Sequence, residues 1–333
     1  MPRRCREPAT RVRRLIGIAL GCALAVSSTP APAQPYPNRP IRLFVSFPPG
    51  GAADLVARVF GQALSVRLGQ PVVIENRPGA NGNLAGDAVA KAEPDGHTLL
   101  LGPSALFSIN PHLYAKMPID PLKDLLPVAS LVSNALLLAA NPALTVGKDF
   151  PGFVALARAT RPPLFYASIG NGSEHHLAME LLKQQAGIDL THVPYRGGGP
   201  AAIGVIAGDV AAMFGGGSVA PLIQSGQLRG LAVSAARRTP LMPDLPAIAE
   251  IYPGYEVTLW QGLFAPIGTP PAIVERLRAD AKAVRALPEV AERLAAAGAG
   301  EPLVTTDAEF MVRIRADYEK FGKVIRGIGA RVE

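Results

Sequence analysis

Cysteine is the first absence. The 333-residue chain has two, Cys5 and Cys22, and both lie N-terminal to Ala33. That segment runs from a basic stretch, MPRRCREPATRVRR, through the apolar LIGIALGCALAV to the small residues SSTPAPAQ. This is the three-part pattern of a secretory signal peptide. Ala31-Pro32-Ala33 fits an A-x-A cleavage site, so the mature chain is expected to begin at Gln34. It then has no cysteine, which excludes disulfides, thiolate nucleophiles and cysteine-metal sites together. A chain of about 300 residues builds a core large enough to dispense with such staples.

A long hydrophobic run is also missing. The apolar stretch is about a dozen residues, short of the roughly 20 that span a bilayer. Other export signals are incomplete: Arg13-Arg14 lacks good twin-arginine flanks, and Ala19-Leu20-Gly21-Cys22 has Ala at the first position of a lipoprotein box. Excess charge disappears with the same segment. Six of the 33 basic residues (Arg3, Arg4, Arg6, Arg11, Arg13, Arg14) and one of the 26 acidic ones (Glu7) lie in it. The remainder carries 27 basic and 25 acidic residues, about +2 against +7 for the whole chain. The high sequence pI belongs to the export signal, and no nucleic-acid partner is expected.

Several catalytic and nucleotide patterns are absent. A phosphate loop needs G-x-x-x-x-G-K-[ST], and neither FPPGGAAD nor PGANGNLAG has the lysine. Neither forms G-x-G-x-x-G after a strand. Gly216-Gly217-Ser218-Val219-Ala220 is one residue from a G-x-S-x-G nucleophile elbow. The elbow's chain order then asks for a later histidine, and none follows His192. Only five histidines exist, without H-E-x-x-H. His175 and His176 adjoin at a helix start and diverge by about 100°, so they do not readily chelate one ion. No metal or cofactor is expected.

What is present is a repeating strand, glycine turn and helix: RLFVSF then PPGGAAD, PVVIENR then PGANG, HTLLLG then PSALFSIN, PLFYASIG then NGSEHH. THVPYRGGG and VAAMFGGGS continue it, and the C-terminal third reads as mostly helical. Alternation of this kind predicts an α/β architecture with mainly parallel sheets. Ligands of open sheets bind beyond the C-terminal ends of strands, where these turns lie. No linker divides the chain into successive domains. Two lobes would therefore be joined by extended crossings, near Ala139 in LLLAANP and near Glu256 in GYEVTLWQGLFAP.

FPPGGAAD offers the backbone N–H groups of Gly50, Gly51 and Ala52 at a helix N-terminus, an anion cradle without side-chain charge. Asp54 fits a capping or dipole role better than a ligand contact. His175 or His176 is either a polar contact for an anion or a surface or cap residue. Arg196, in PYRGGG, is either a solvated arginine or a cationic wall for an acid. Trp260, the single tryptophan, suits a core, with stacking on a ligand as the alternative.

These segments together resemble the Bug-type periplasmic solute-binding proteins, the receptors of tripartite tricarboxylate transporters. The resemblance runs from Tyr36-Pro37-Asn38-Arg39-Pro40-Ile41 almost to the C-terminus. It is carried by FPPGGAAD, VIENRPGANGNLAGDAVAKAEPDGHTLLLG, INPHLYAKMPIDPLKDLLPVASL, HVPYRGGGPA, GQLRGLAVSAARR, PDLPAIAE, YPGYEV and WQGLFAPIGTPPAIVERL. It implies a periplasmic-binding-protein-like (type II) flytrap: two α/β lobes joined by two hinge strands, residues 34–138 plus 256–333 and residues 139–255. It implies a monomeric, non-catalytic receptor that closes on a small organic acid and delivers it to a membrane permease. The carboxylate would be gripped by Phe47, Pro49, Gly50, Gly51 and Ala52, with Asn81 and Ser104. Ser168, Gly170, Asn171 and His175 would complete the cleft from the second lobe.

Three departures bear on specificity. Gly215 stands where the family often has Asp, which favours a ligand without an amino or hydroxyl group. Ala53 stands where a hydroxyl residue often precedes Asp54. Pro103 and Leu106 make one wall more apolar, which suits an aromatic or branched acid. An exported α/β enzyme using Ser218 or the His175–His176 pair remains an alternative, as does a sensor that presents its ligand to a signalling protein.

Overall fold

The computed structural model describes residues 36–332 except 146, 148 and 297. The expected export segment, up to Ala33, lies outside the described residues. From Arg39 onward the chain forms one unit. It opens with β1 (Ile41–Val45), α1 (Ala52–Leu68), β2 (Val72–Asn76), α2 (Asn83–Ala90) and β3 (Thr98–Pro103). Three short helices, α3 (Ser104–Ser108), α4 (Asn110–Leu113) and α5 (Pro121–Asp124), lead into β4 (Leu125–Ala135). The middle of the chain is β5 (Leu137–Ala140), α6 (Phe150–Ala159), β6 (Leu164–Ser168), α7 (Glu174–Ala186), β7 (Leu190–Pro194), α8 (Gly198–Ala207), β8 (Ala212–Gly215), α9 (Ala220–Gln224) and β9 (Arg229–Val233). It closes with β10 (Thr258–Pro266), α10 (Pro271–Arg285), α11 (Pro288–Ala296), β11 (Glu301–Pro302) and α12 (Asp307–Ile328).

The strands make two sheets, one ordered β11-β4-β10-β3-β1-β2 and the other β7-β6-β8-β5-β9. Both are mixed rather than mainly parallel. β1 pairs in parallel with β2 and β3, and β6 with β7 and β8. β10 runs antiparallel to β3 and β4, and β5 antiparallel to β8 and β9. The antiparallel pairs involve the strands that carry the chain between sheets. A strand arriving from the other sheet is not delivered by a right-handed βαβ crossover, so nothing fixes it parallel to its neighbour.

The chain leaves the first sheet at Ala135 and enters the second at Leu137, and it returns between Val233 and Thr258. The two crossings are fastened to each other by Ser234, which is fully buried. Its N–H donates to Leu136 O at 2.9 Å, and its carbonyl accepts from Val257 N at 2.9 Å. Its hydroxyl accepts from Leu136 N at 2.7 Å and donates to Val257 O at 2.5 Å. One side chain thus satisfies a backbone group on each crossing strand.

The first sheet buries Phe44, Leu100, Phe107, Trp260, Phe264 and Phe310 in one cluster. Trp260 is fully buried and donates from its indole to Asp317 at 2.8 Å. A second cluster does not respect the boundary between sheets. It joins Tyr166 and Leu177 of the second sheet's layer to Ile109 and Leu113, to Leu136 at the crossing, and to Phe321 of α12.

Candidate functional site

Pro48 and Pro49 cannot continue β1, and the chain turns through Gly50 at φ +85°, a left-handed conformation that favours glycine. The turn closes on Asp54, which is 3% exposed. Gly50 N–H donates to Asp54 Oδ2 at 3.0 Å, Arg58 donates to the same oxygen at 2.8 Å, and Asn76 donates to Oδ1 at 2.9 Å. Arg58 first, then Gly50 and Asn76, hold this carboxyl at about 2, against the opposing effect of burial. Asn76 also donates to Phe47 O at 3.0 Å. The carboxylate therefore shapes the loop, and the Gly50 N–H is committed to it. The first-turn N–H groups of Ala52 and Ala53 have no intrahelical acceptor and form the positive end of α1's dipole.

The second loop of this lobe holds Ala80 and Asn81 at φ 45° and 52°. An amide chain keeps it there: Asn81 Nδ2 donates to Asn110 Oδ1 at 2.8 Å, and Asn110 returns bonds to Asn81 O at 3.0 Å and to Asn83 Oδ1 at 2.7 Å. Asn110 is fully buried, so this strained turn rests on a fixed post. Beside it, Ser46 Oγ is buried without a hydrogen-bond partner.

The facing wall is the loop between β6 and α7. Ser168, fully buried, meets His192 Nε2 at 2.6 Å and accepts from Gly170 N at 3.0 Å. Gly172 N donates to His176 Nδ1 at 3.0 Å, and the His176 and His192 rings stack at 3.9 Å. Burial, reinforced by Lys183, lowers His176; burial and then His176 push His192 down to about 4. His175 points elsewhere: its ring lines the cleft, and burial lowers it to about 4. Both histidines of the pair are thus neutral near pH 7, one as a loop clasp and one as a wall.

Between the walls lie two adjoining cavities of about 790 and 330 Å³. The larger is bounded by Pro49, Gly51 and Ala52 on one side and by Gly198, Gly217 and Ser218 on the other. The smaller is bounded by Asn81, Ser104, Gly170, Asn171 and Glu174. Phe47, Ile169, His175, Leu259 and Gln261 line both. The starts of α1, α7 and α8, at Ala52, Glu174 and Gly198, all border this space. Among the described residues, neither lining contains a lysine or arginine. Positive potential here comes from helix ends, not side chains.

Of the residues expected at the site, Phe47, Pro49, Gly51, Ala52, Asn81, Ser104, Gly170, Asn171 and His175 line these cavities. Four do not. Gly50 is turned to Asp54, and Ser168 braces its loop from behind. Arg196 is exposed outside the lining. Gly215 is buried, and a Cβ there would come within 2.6 Å of Val219. The absence of a side chain at 215 therefore reflects packing in this chain, and it carries no information about the ligand's polar groups. Leu106, expected in an apolar wall, is fully buried in the core, whereas Pro103 does border the smaller cavity. Ser218 borders the larger one, with no histidine hydrogen-bonded to it among the described residues. Glu174, Leu259 and Gln261 were not expected. The first was legible as the one charged residue of GNGSEHH; the other two lie on β10, far along the chain.

The sequence profile of the tripartite tricarboxylate transporter family receptor matches residues 56–330. The chain belongs to that family. Protein BugT of Bordetella pertussis is 36% identical over 330 residues, covering 97% of this chain and 99% of that protein. Among solved structures, R. palustris Rpa4515 with adipate is 33% identical, with a TM-score of 0.75 over 89% of this receptor and 100% of that chain. MatC (Rpa3494) from Rhodopseudomonas palustris with bound malate is also 33% identical, with a TM-score of 0.69 over 87% and 100%. These likenesses place the receptor in the two-lobed periplasmic-binding-protein fold.

Proposed function

We propose that this chain is an exported, non-catalytic receptor of the periplasm. It captures a small organic carboxylate between its lobes and presents the closed form to a tripartite tricarboxylate-type permease. The lobes comprise residues 34–138 plus 256–333 and residues 139–255, and the receptor acts as a monomer once the segment ending at Ala33 is removed. The observation that supports this reading most strongly is the cavity itself: three helix N-termini border it, and among the described residues no cationic side chain does. Such a site takes an anion through backbone N–H groups. The carboxylate lies against Gly51 and Ala52, within reach of the Asn81 loop and Ser104. Rpa4515 and MatC, whose structures hold adipate and malate, support the same ligand class. Closure by hinge motion about the two crossings traps the ligand.

A thermal-shift screen of Gln34–Glu333 against aliphatic, aromatic, di- and tricarboxylic acids tests this. At 100 times its dissociation constant a ligand adds about 2.7 kcal/mol. Stabilisation by an acid and not by its amide is the expected result; equal stabilisation by both overturns the carboxylate reading.

A further inference from the structure

We infer that the ligand carries an amino group as well as its carboxylate, and that Glu174 is the residue that pairs with the ammonium. The inference rests on the carboxylate reading above and reverses the expectation that Gly215 had raised.

Glu174 begins α7 and borders the smaller cavity. Apart from its own backbone N–H, its carboxyl has one donor among the described residues, Ser104 Oγ at a long 3.3 Å. Burial raises its carboxyl despite those bonds. A carboxyl so placed needs a cation or a proton, and among the described residues neither cavity offers a lysine or arginine. Two further polar atoms in the same walls are buried without a partner, Gln261 Oε1 and His175 Nδ1. His175 is 7% exposed and neutral, so its Nδ1 accepts in the tautomer protonated at Nε2. An amide oxygen only accepts. Buried acceptors left unmatched are costly, and a donor arriving with the ligand removes that cost.

The charge count separates the possible acids. A dicarboxylate would set its second carboxylate beside Glu174 with no cation between them among the described residues, so Glu174 would have to take up a proton to meet it. A plain monocarboxylate would leave Glu174 and both orphan acceptors unmatched. An amino acid balances the site: its carboxylate lies at the start of α1, and its ammonium lies against Glu174. The ammonium's donors are met first by Glu174, with Gln261 Oε1 and, in the Nε2-protonated tautomer, His175 Nδ1 as further acceptors in the walls.

The test uses matched probes on the mature receptor. Titration calorimetry compares α- and ω-amino acids of two to six carbons with the acids that lack the amino group, with the hydroxy acids, and with dicarboxylates of equal length. At least one amino acid is expected to bind about tenfold or more tightly than its desamino and hydroxy counterparts. Glu174→Gln is expected to bring that ratio towards one, with ligand-free melting temperature as the folding control. Desamino acids or dicarboxylates binding as tightly as the amino acids in the wild type would overturn the inference while leaving the carboxylate reading intact. An unchanged ratio in a folded Glu174→Gln variant would also overturn it. An amino acid amide binding as well as the amino acid would instead overturn the carboxylate reading.

Discussion

Asp54, His175 and His192 set two separate pH windows. Asp54 is ordinarily a 3.8 acid and is held at about 2 in the folded chain. A depressed carboxyl stabilises above its unfolded value and loses that contribution as pH falls through the folded one. Asp54→Asn is therefore expected to cost about 1–3 kcal/mol near neutrality, a gap that narrows between pH 4 and 2 as measured by melts across that range. His175 and His192 are also depressed, from 6.5 to about 4. For them the unfolded chain binds protons that the folded one refuses, so stability falls as pH drops from 6.5 towards 4. His192→Gln is expected to flatten this slope while lowering stability at pH 7; an unchanged slope would remove His192 from the account. A third residue was misread for a steric reason. Gly215→Asp is expected to cost about 1–3 kcal/mol by crowding Val219, without tightening the binding of any acid. The FPPGGAAD turn was legible because Pro and Gly act on their own backbone. The roles of Glu174, Gln261 and Gly215 depend on residues brought near by tertiary packing, which local pattern does not encode.

Elements were legible in type and order, because apolar periodicity and glycine punctuation decide them locally. Strand direction was not. β5 and β10 carry no mark of running antiparallel, since that follows from the chain passing between two sheets. The serine that ties these passages is likewise invisible in GLAVSAARR, where it reads as a strand-end hydroxyl. Its bonds to Leu136 and Val257 join residues separated by 98 and 23 positions. Ser234→Ala leaves a buried N–H on one crossing and a buried C=O on the other. A loss of about 1–3 kcal/mol is expected, lowering Tm by ~2–6 °C. The measurement that separates this from a local packing loss is hydrogen exchange. Leu136 N–H should lose protection in Ser234→Ala while the strands interior to each sheet keep theirs; uniform loss across both sheets would count against a clasp confined to the crossings.

At the scale of the molecule, two lobes suggest two folding units, but the packing argues for one. Phe321, Val324 and Ile325 of α12 belong to the same cluster as Phe150, Tyr166 and Leu177 from the other sheet's layer. The first half of α12 meanwhile puts Phe310 and Ile314 into the first sheet's cluster. One helix is thus shared by both cores, and neither core is complete without it. Lobes joined only by two strands would melt independently, whereas lobes sharing a buried helix lose their packing together. A single calorimetric transition with matching van't Hoff and calorimetric enthalpies is expected for the mature chain, shifted upward as one by ligand. Phe321→Ala, which removes an aromatic ring from that joint, is expected to cost about 3–5 kcal/mol and to lower the whole transition. If it instead split the transition into two, with ligand raising only one of them, α12 would be a passenger on one lobe and not the element that makes the two lobes a single folding unit.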